Sequence, residues 1–135
     1  MLVKDIAQHL DDLEVGTLGT DIFVGELPFL NDSGAKVSAG LYVANVAGQG
    51  KEQYLNTIHE QLEFWALGMQ YEAAYDKIEE VRNQLASKQN YELTDSYVYF
   101  SEEVTSIADM GRTADGMKMY KLTLNFIYYD KVVLS

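Results

Sequence analysis

The stretch Thr57-Ile-His-Glu-Gln-Leu-Glu-Phe-Trp-Ala-Leu-Gly-Met-Gln-Tyr-Glu-Ala-Ala-Tyr-Asp-Lys-Ile-Glu-Glu-Val-Arg-Asn-Gln-Leu-Ala-Ser87 changes its hydrophobic period partway along. In its first half Ile58, Leu62, Phe64 and Ala66 alternate with His59, Gln61 and Glu63, the period of a strand with one buried face. In its second half Tyr71, Ala74, Tyr75, Ile78, Val81 and Leu85 recur at three- and four-residue steps and form one stripe on a helix over about 70–87. Gly68 sits at the switch, where a chain leaving a strand for a helix often needs a residue without a Cβ. A strand feeding a helix, with further strands after it, predicts a compact α+β layer.

Working outward, Leu2, Val3, Ile6, Ala7, Leu10 and Leu13 predict an amphipathic first helix that ends before Gly16. Thr20 to Gly25 reads as a short strand closed by Pro28, and 29–37 as an exposed loop rich in turn formers. Leu41 to Ala47 reads as a strand, Gly48 to Asn56 as a polar connector, and Thr57–Leu67 as a third strand. After the helix, Tyr97–Phe100 begins a strand that Glu102-Glu103 either bulges or ends. Tyr120, Leu122, Leu124, Phe126 and Tyr128 alternate with Lys121, Thr123, Asn125, Ile127 and Tyr129 in the last strand, and Asp115-Gly116 before it is a turn signal. The predicted order is α-β-β-β-α-β-β, a mostly antiparallel sheet packed on one long helix, in a single domain spanning 1–135.

Composition narrows the function. The formal charge is −11 with ten Lys and Arg against 21 Asp and Glu, so phosphate backbones offer this chain no counterion-release gain. Anionic membranes repel it as well. A conduit that DNA crosses without sticking remains compatible with such charge. No cysteine is present, which removes disulfides and thiolate chemistry. The start, Met1-Leu-Val-Lys-Asp-Ile6, has an acidic residue where a signal peptide carries its apolar run, and no stretch approaches the roughly 18 apolar residues of a membrane span. The expectation is a protein that stays in the cytoplasm where it is made, or in a particle built there. Ten tyrosines accompany one tryptophan. They either fill a two-layer core or serve subunit interfaces, where a large apolar ring with a wet hydroxyl is favoured.

Candidate chemistry fails on spacing. His59-Glu60-Gln-Leu-Glu63 resembles part of a zinc-protease helix, but Glu63 stands where the second histidine belongs and the surrounding alternation says strand. On a strand His59 and Glu63 share a face and, at about 3.3 Å of rise per residue, stand too far apart to chelate one ion. Gly48-Gln-Gly50-Lys51 lacks the first glycine of a phosphate loop, having Asn45 there, and has Glu52 in place of Ser or Thr. The carboxylate pairs Asp11-Asp12 and Glu102-Glu103 are adjacent in sequence and point apart. His9 falls on the polar side of the first helix. No catalytic, cofactor-binding or metal residues are assigned, and no enzyme activity is expected. Two competing readings are a small metal-dependent hydrolase built on His59, Glu60 and Glu63, and a monomeric binding module using the tyrosine surface.

Four segments, in order, resemble the tail-terminator (tail-completion, or minor capsid) proteins of long-tailed phages, especially those of Gram-positive hosts. They are Asp21-Ile-Phe-Val-Gly-Glu-Leu-Pro28, Gln61 to Leu85 with its Tyr71-Glu-Ala-Ala-Tyr75 centre, Asp109-Met-Gly-Arg112, and Met119-Tyr-Lys-Leu-Thr-Leu-Asn-Phe126. The likeness runs over most of the chain. Members often carry Arg-Ser or Arg-Thr where Leu67-Gly68-Met69 stands here, which leaves Gln70 as a poor substitute for a polar helix cap. The resemblance implies a virion protein of the tail and neck, assembled in the host cytoplasm. It forms a homohexameric ring that caps the tail tube, stops its polymerisation and meets the head-completion connector, with DNA passing through unbound. Head-completion and tail-tube proteins of the same region are the neighbouring readings. Exposed aromatic positions (Trp65, Tyr97, Tyr99, Tyr129) and their neighbours His59 and Glu63 are expected at the subunit interface. Asn31, Asp32, Lys51 and Tyr54 in the connectors, and Arg112, are expected there too.

Overall fold

A computed structural model describes residues 2–51 and 57–131. In chain order it contains α1 (Leu2–Asp12), β1 (Ile22–Val24), β2 (Ala39–Lys51), β3 (Ile58–Gly68), α2 (Tyr71–Leu85), β4 (Lys88–Glu92), β5 (Ser96–Arg112) and β6 (Lys118–Asp130). The strands form one sheet in the order β1-β2-β3-β6-β5-β4. Among the described strands only β1 and β2 run parallel, so the mostly antiparallel expectation holds.

The strand-to-helix switch falls where the period changes. Strand β3 occupies the middle of the sheet and pairs along its length with β2 and β6, and β6 accepts it from Ile58↔Tyr128 to Gly68↔Lys118. Leu62, Phe64 and Ala66 of β3 and Leu122, Leu124 and Phe126 of β6 are completely buried on one face. Helix α1 contributes Leu2, Ile6, Ala7 and Leu10 to that core, and α2 contributes Ala74, Ile78, Val81 and Leu85. Full burial of one such side chain is worth about 1.5–3 kcal/mol, which is why the sheet keeps this face inward.

Several expectations need correction. The sheet does not rest on one long helix: two short helices, of 11 and 15 residues, share its inner face. The predicted stripe holds at Ala74, Ile78, Val81 and Leu85, whereas Tyr71 and Tyr75 are 55% and 38% exposed. They flank the line of the others, and Tyr75 meets the core only edge-on, its ring 5.3 Å from that of Tyr120. A further strand, β4, follows α2; its mostly polar Lys88-Gln-Asn-Tyr-Glu92 gives no alternation to read, and pairing with β5 makes it a strand. Strand β2 runs on through Gly48 to Lys51, past a register shift between Asn45 and Gln49, so the first part of the expected connector belongs to the sheet. Strand β5 passes Glu102-Glu103 with a register shift between Glu103 and Thr105, the bulge alternative, and ends only at Arg112. The turn is therefore tighter than 109–116, closed by Gly116 N–H donating to Thr113 O at 2.9 Å.

Polar ties fix the helices to the sheet. Buried Asp5 of α1 accepts from the Ser96 hydroxyl at 3.0 Å and from the Asp95 amide at 3.3 Å. At the end of α2 the Ser101 hydroxyl donates to Leu85 O and accepts from the Tyr91 phenol at 2.9 Å. Burial pushes the Tyr91 phenol up to about 12, so this link stays protonated throughout the neutral range.

Gly68 does not use its freedom. Its φ is not positive, and a Cβ there would meet Gln70 O at 3.7 Å and the Ala39 and Ala74 Cβ atoms at 3.8 Å, all ordinary contacts. Gly19 differs, with φ 89° and the Asp32 carboxylate lying where a Cβ would stand. Urea denaturation should therefore find Gly68→Ala neutral or stabilised by about 0.4–1 kcal/mol through the unfolded state, with Gly19→Ala clearly destabilised.

Candidate functional site

Both helices lie on one side of the sheet, which leaves the other face without a helix among the described residues. At one corner the chain covers it itself: Leu27 and Phe23 reach over Gly40, and Phe23, Val37 and Leu67 are buried apart from the main core. Beyond that corner the outer face carries the alternate residues of β2, β3, β5 and β6.

The aromatic side chains there gather into two groups. In the first, Tyr42, Trp65 and Lys121 stand side by side on β2, β3 and β6. The Tyr42 and Trp65 rings stack at 5.9 Å with 5° between planes, and Lys121 Nζ lies 5.7 Å above the indole. The indole N–H donates to Glu63 Oε2 at 3.2 Å, and the same oxygen is 3.9 Å from Lys121 Nζ. Partial burial, then the Glu63 charge, raises the Tyr42 phenol, so it remains a neutral donor. In the second group Tyr97, Tyr99 and Tyr129 have ring centroids 5.5 Å apart in every pairing. Tyr97 faces Tyr129 across the strands, while Tyr99 sits at the register shift between Val98 and Phe100 and is 41% exposed. From Lys121 to Tyr129 along β6 the groups are about 26 Å apart. The outer face thus carries two separate aromatic groups.

The other predicted residues fall as follows. His59 shares the outer face and pairs with Ile127, between the two groups. Arg112 is exposed at the far end of β5 and donates to Gly116 O at 2.7 Å. Met69 and Tyr71, each more than half exposed, stand near it, and the Gln70 that precedes α2 makes no side-chain cap bond, as its poor capping chemistry predicts. Asn31 is committed inside its own loop, its carboxamide oxygen accepting from the Ser33 amide at 3.0 Å and the Ala35 amide at 2.9 Å. The Asp32 amide donates to Gly19 O, which pins the same loop down. Tyr54 lies outside the described residues, and Lys51 enters only as the last backbone position of β2. Tyr42 and Lys121 were not singled out by sequence, although each alternates with buried neighbours; cross-strand register alone sets them against Trp65.

The residues of the hydrolase alternative do not converge. Glu60 points to the inner side, 4% exposed, where it accepts from Asn45 Nδ2 at 2.8 Å and from the Tyr128 phenol at 2.7 Å. His59 and Glu63 point to the outer side. Among the described residues no three His, Asp or Glu side chains are grouped to hold a metal ion.

The fold is a two-layer α+β domain whose outer sheet face carries partly exposed aromatic side chains. Residues 9–130 match the family of the bacteriophage tail terminator protein, and the chain belongs to that family, one of structural phage tail proteins. Among solved structures, "Virion of native gene transfer agent (GTA) particle" contains a chain of similar fold, with a TM-score of 0.62, 9% identity, and coverage of 82% of this chain and 79% of that one. At that identity the likeness is one of fold. No curated protein matches the chain in sequence. Among the described residues no helix is long and apolar enough to cross a membrane.

Because Glu60 is turned away from His59 and Glu63, protein purified without added metal should contain no stoichiometric zinc by elemental analysis. Zinc near one equivalent that His59→Ala abolishes would restore the hydrolase reading.

Proposed function

We propose that this protein is a tail terminator that assembles as a hexameric ring on the end of the phage tail tube, stops its growth and presents a docking face to the head connector. Family membership over residues 9–130 carries this reading. The outer sheet face supports it, because the Tyr42–Trp65 and Tyr97–Tyr99–Tyr129 groups leave large, partly exposed rings for a partner to cover. The charge of −11 suits a ring whose lumen lets DNA slide without binding. The partners are further copies of this chain, the tail-tube protein and the head-completion protein; the place of action is the virion neck, after assembly in the host cytoplasm. No cofactor or catalytic step enters.

A terminator differs from a tube subunit in making single rings, and from a head-completion protein in what its loss does. Phage with an early stop codon in this gene should accumulate filled, tailless heads together with free tails of uncontrolled length. Purified protein should cap tails of correct length and restore joining. Normal-length tails beside DNA-losing heads would assign the protein to the head side instead.

Trp65 separates interface from core. Its indole lies on the outer face, so Trp65→Ala should weaken ring formation on tube ends at least tenfold, read by electron microscopy and native mass spectrometry. The same change should lower monomer stability far less than the roughly 3–5 kcal/mol of a buried aromatic truncation. An equal loss of both would place Trp65 in the monomer core.

A further inference from the structure

The sheet has two incomplete edges. Strand β4 covers β5 only from Tyr97 to Ser101, and β6 pairs the other side of β5 out to Arg112. Among the described residues no strand pairs with the outward edge of Glu102–Arg112, and Glu102 to Ser106 are exposed without a break. At the opposite edge β1 covers β2 only from Leu41 to Val43, and no described strand pairs with the outward edge of Ala44–Lys51. Such edges present rows of free N–H and C=O groups that template another strand. Long ones are normally blunted, and the acids and register shifts of the β5 edge blunt it against a like edge.

Resting on the ring reading above, we infer that the ring closes by sheet continuation: Ala44–Lys51 of β2 in one copy pairs antiparallel with Glu102–Arg112 of β5 in the next. Four observations carry this. The strand directions fit, because β2, β3, β6 and β5 alternate, so a neighbouring β2 set beside β5 in the same sense is antiparallel to it. The lengths fit, with β5's free edge opposite Lys118 to Asn125 of β6 and β2's opposite Ile58 to Glu63 of β3.

The charges fit one pairing and oppose another. The β5 edge carries Glu102, Glu103 and Asp109 against Arg112, while Ala44-Asn-Val-Ala-Gly-Gln-Gly-Lys51 has one lysine and no acid. Two β5 edges repel one another; a β5 and a β2 edge do not. The register shifts after Glu103, Thr105 and Asp109 bend the edge, so that only a strand of matching curvature follows it.

The stagger also fits. Arg112 and Ala39 mark one end of the sheet, Val98 and Lys51 the other, so the two free edges lie at opposite ends. Pairing them slides each copy about four residues, or about 13 Å, along the strands relative to its neighbour. Over four strand spacings, about 19 Å, this gives a tilt of about 35°, at the lower bound for closed barrels. Strands β4 and β1 then act as stops that fix the slide in both directions.

The chain has no cysteine, so introduced pairs report without background. Val46→Cys is combined in turn with Ser106→Cys, Ala108→Cys and Met110→Cys, registers two residues apart. Full-length protein is mixed with tail tubes, and rings are confirmed by electron microscopy before oxidation. At least one pair should give a ladder of covalent oligomers ending at the closed ring, and each single-cysteine variant should stay uncrosslinked. Rings that form while none of the three pairs crosslinks overturn the edge pairing and leave the terminator reading standing. Covalent dimers from Val46→Cys or Ser106→Cys alone overturn it too, by showing like edges in contact. Absence of any ring on tube ends removes both readings together.

Discussion

Everything in this fold depends on β3 being paired on both sides. Held between β2 and β6, it has no freedom to slip, and a slip of one residue would carry Leu62, Phe64 and Ala66 to the outer face. The helices therefore have one place to go. With α1 and α2 on the inner face, Trp65, Glu63 and His59 are left on the other side by the same alternation that buries their neighbours. The aromatic outer face follows directly from the pattern that builds the core.

That outer face is organised before any partner arrives. Stacking on Tyr42, the cation above the ring and the bond to Glu63 hold the indole of Trp65 in one orientation. Each contact is worth little at a partly exposed site, on the order of 1 kcal/mol or less. Their effect is to reduce the ordering that association would otherwise require. The tyrosine group at the other end is held by mutual ring packing, so the two groups differ in chemistry as well as position.

Negative charge limits the rest. Nine of the 21 acidic residues stand on helix surfaces and on the open half of β5, and the buried ones, Asp5 and Glu60, have partners. A chain this acidic resists association with copies of itself unless specific contacts offset the repulsion.

The β3–α2 switch, the first helix, the last strand and the Asp115-Gly116 turn were all legible in the residues, because each depends on a local period or a local backbone preference. The family was legible too, through segments whose order does not depend on tertiary contacts. The helix stripe was read one turn too far, since spacing cannot tell Tyr71 and Tyr75, which flank the sheet, from Ile78, which sits on it. Strand β4 carries no alternation and exists because β5 offers it an edge. The reach of β5 through Glu102-Glu103 depends on β6 continuing beside it. Sequence alone determined which residues avoid water and at what period they recur. Only the tertiary structure decided which strands lie side by side, and so which side chain meets Trp65 and which edges stay open, because cross-strand neighbours are distant in the chain and are brought together by register.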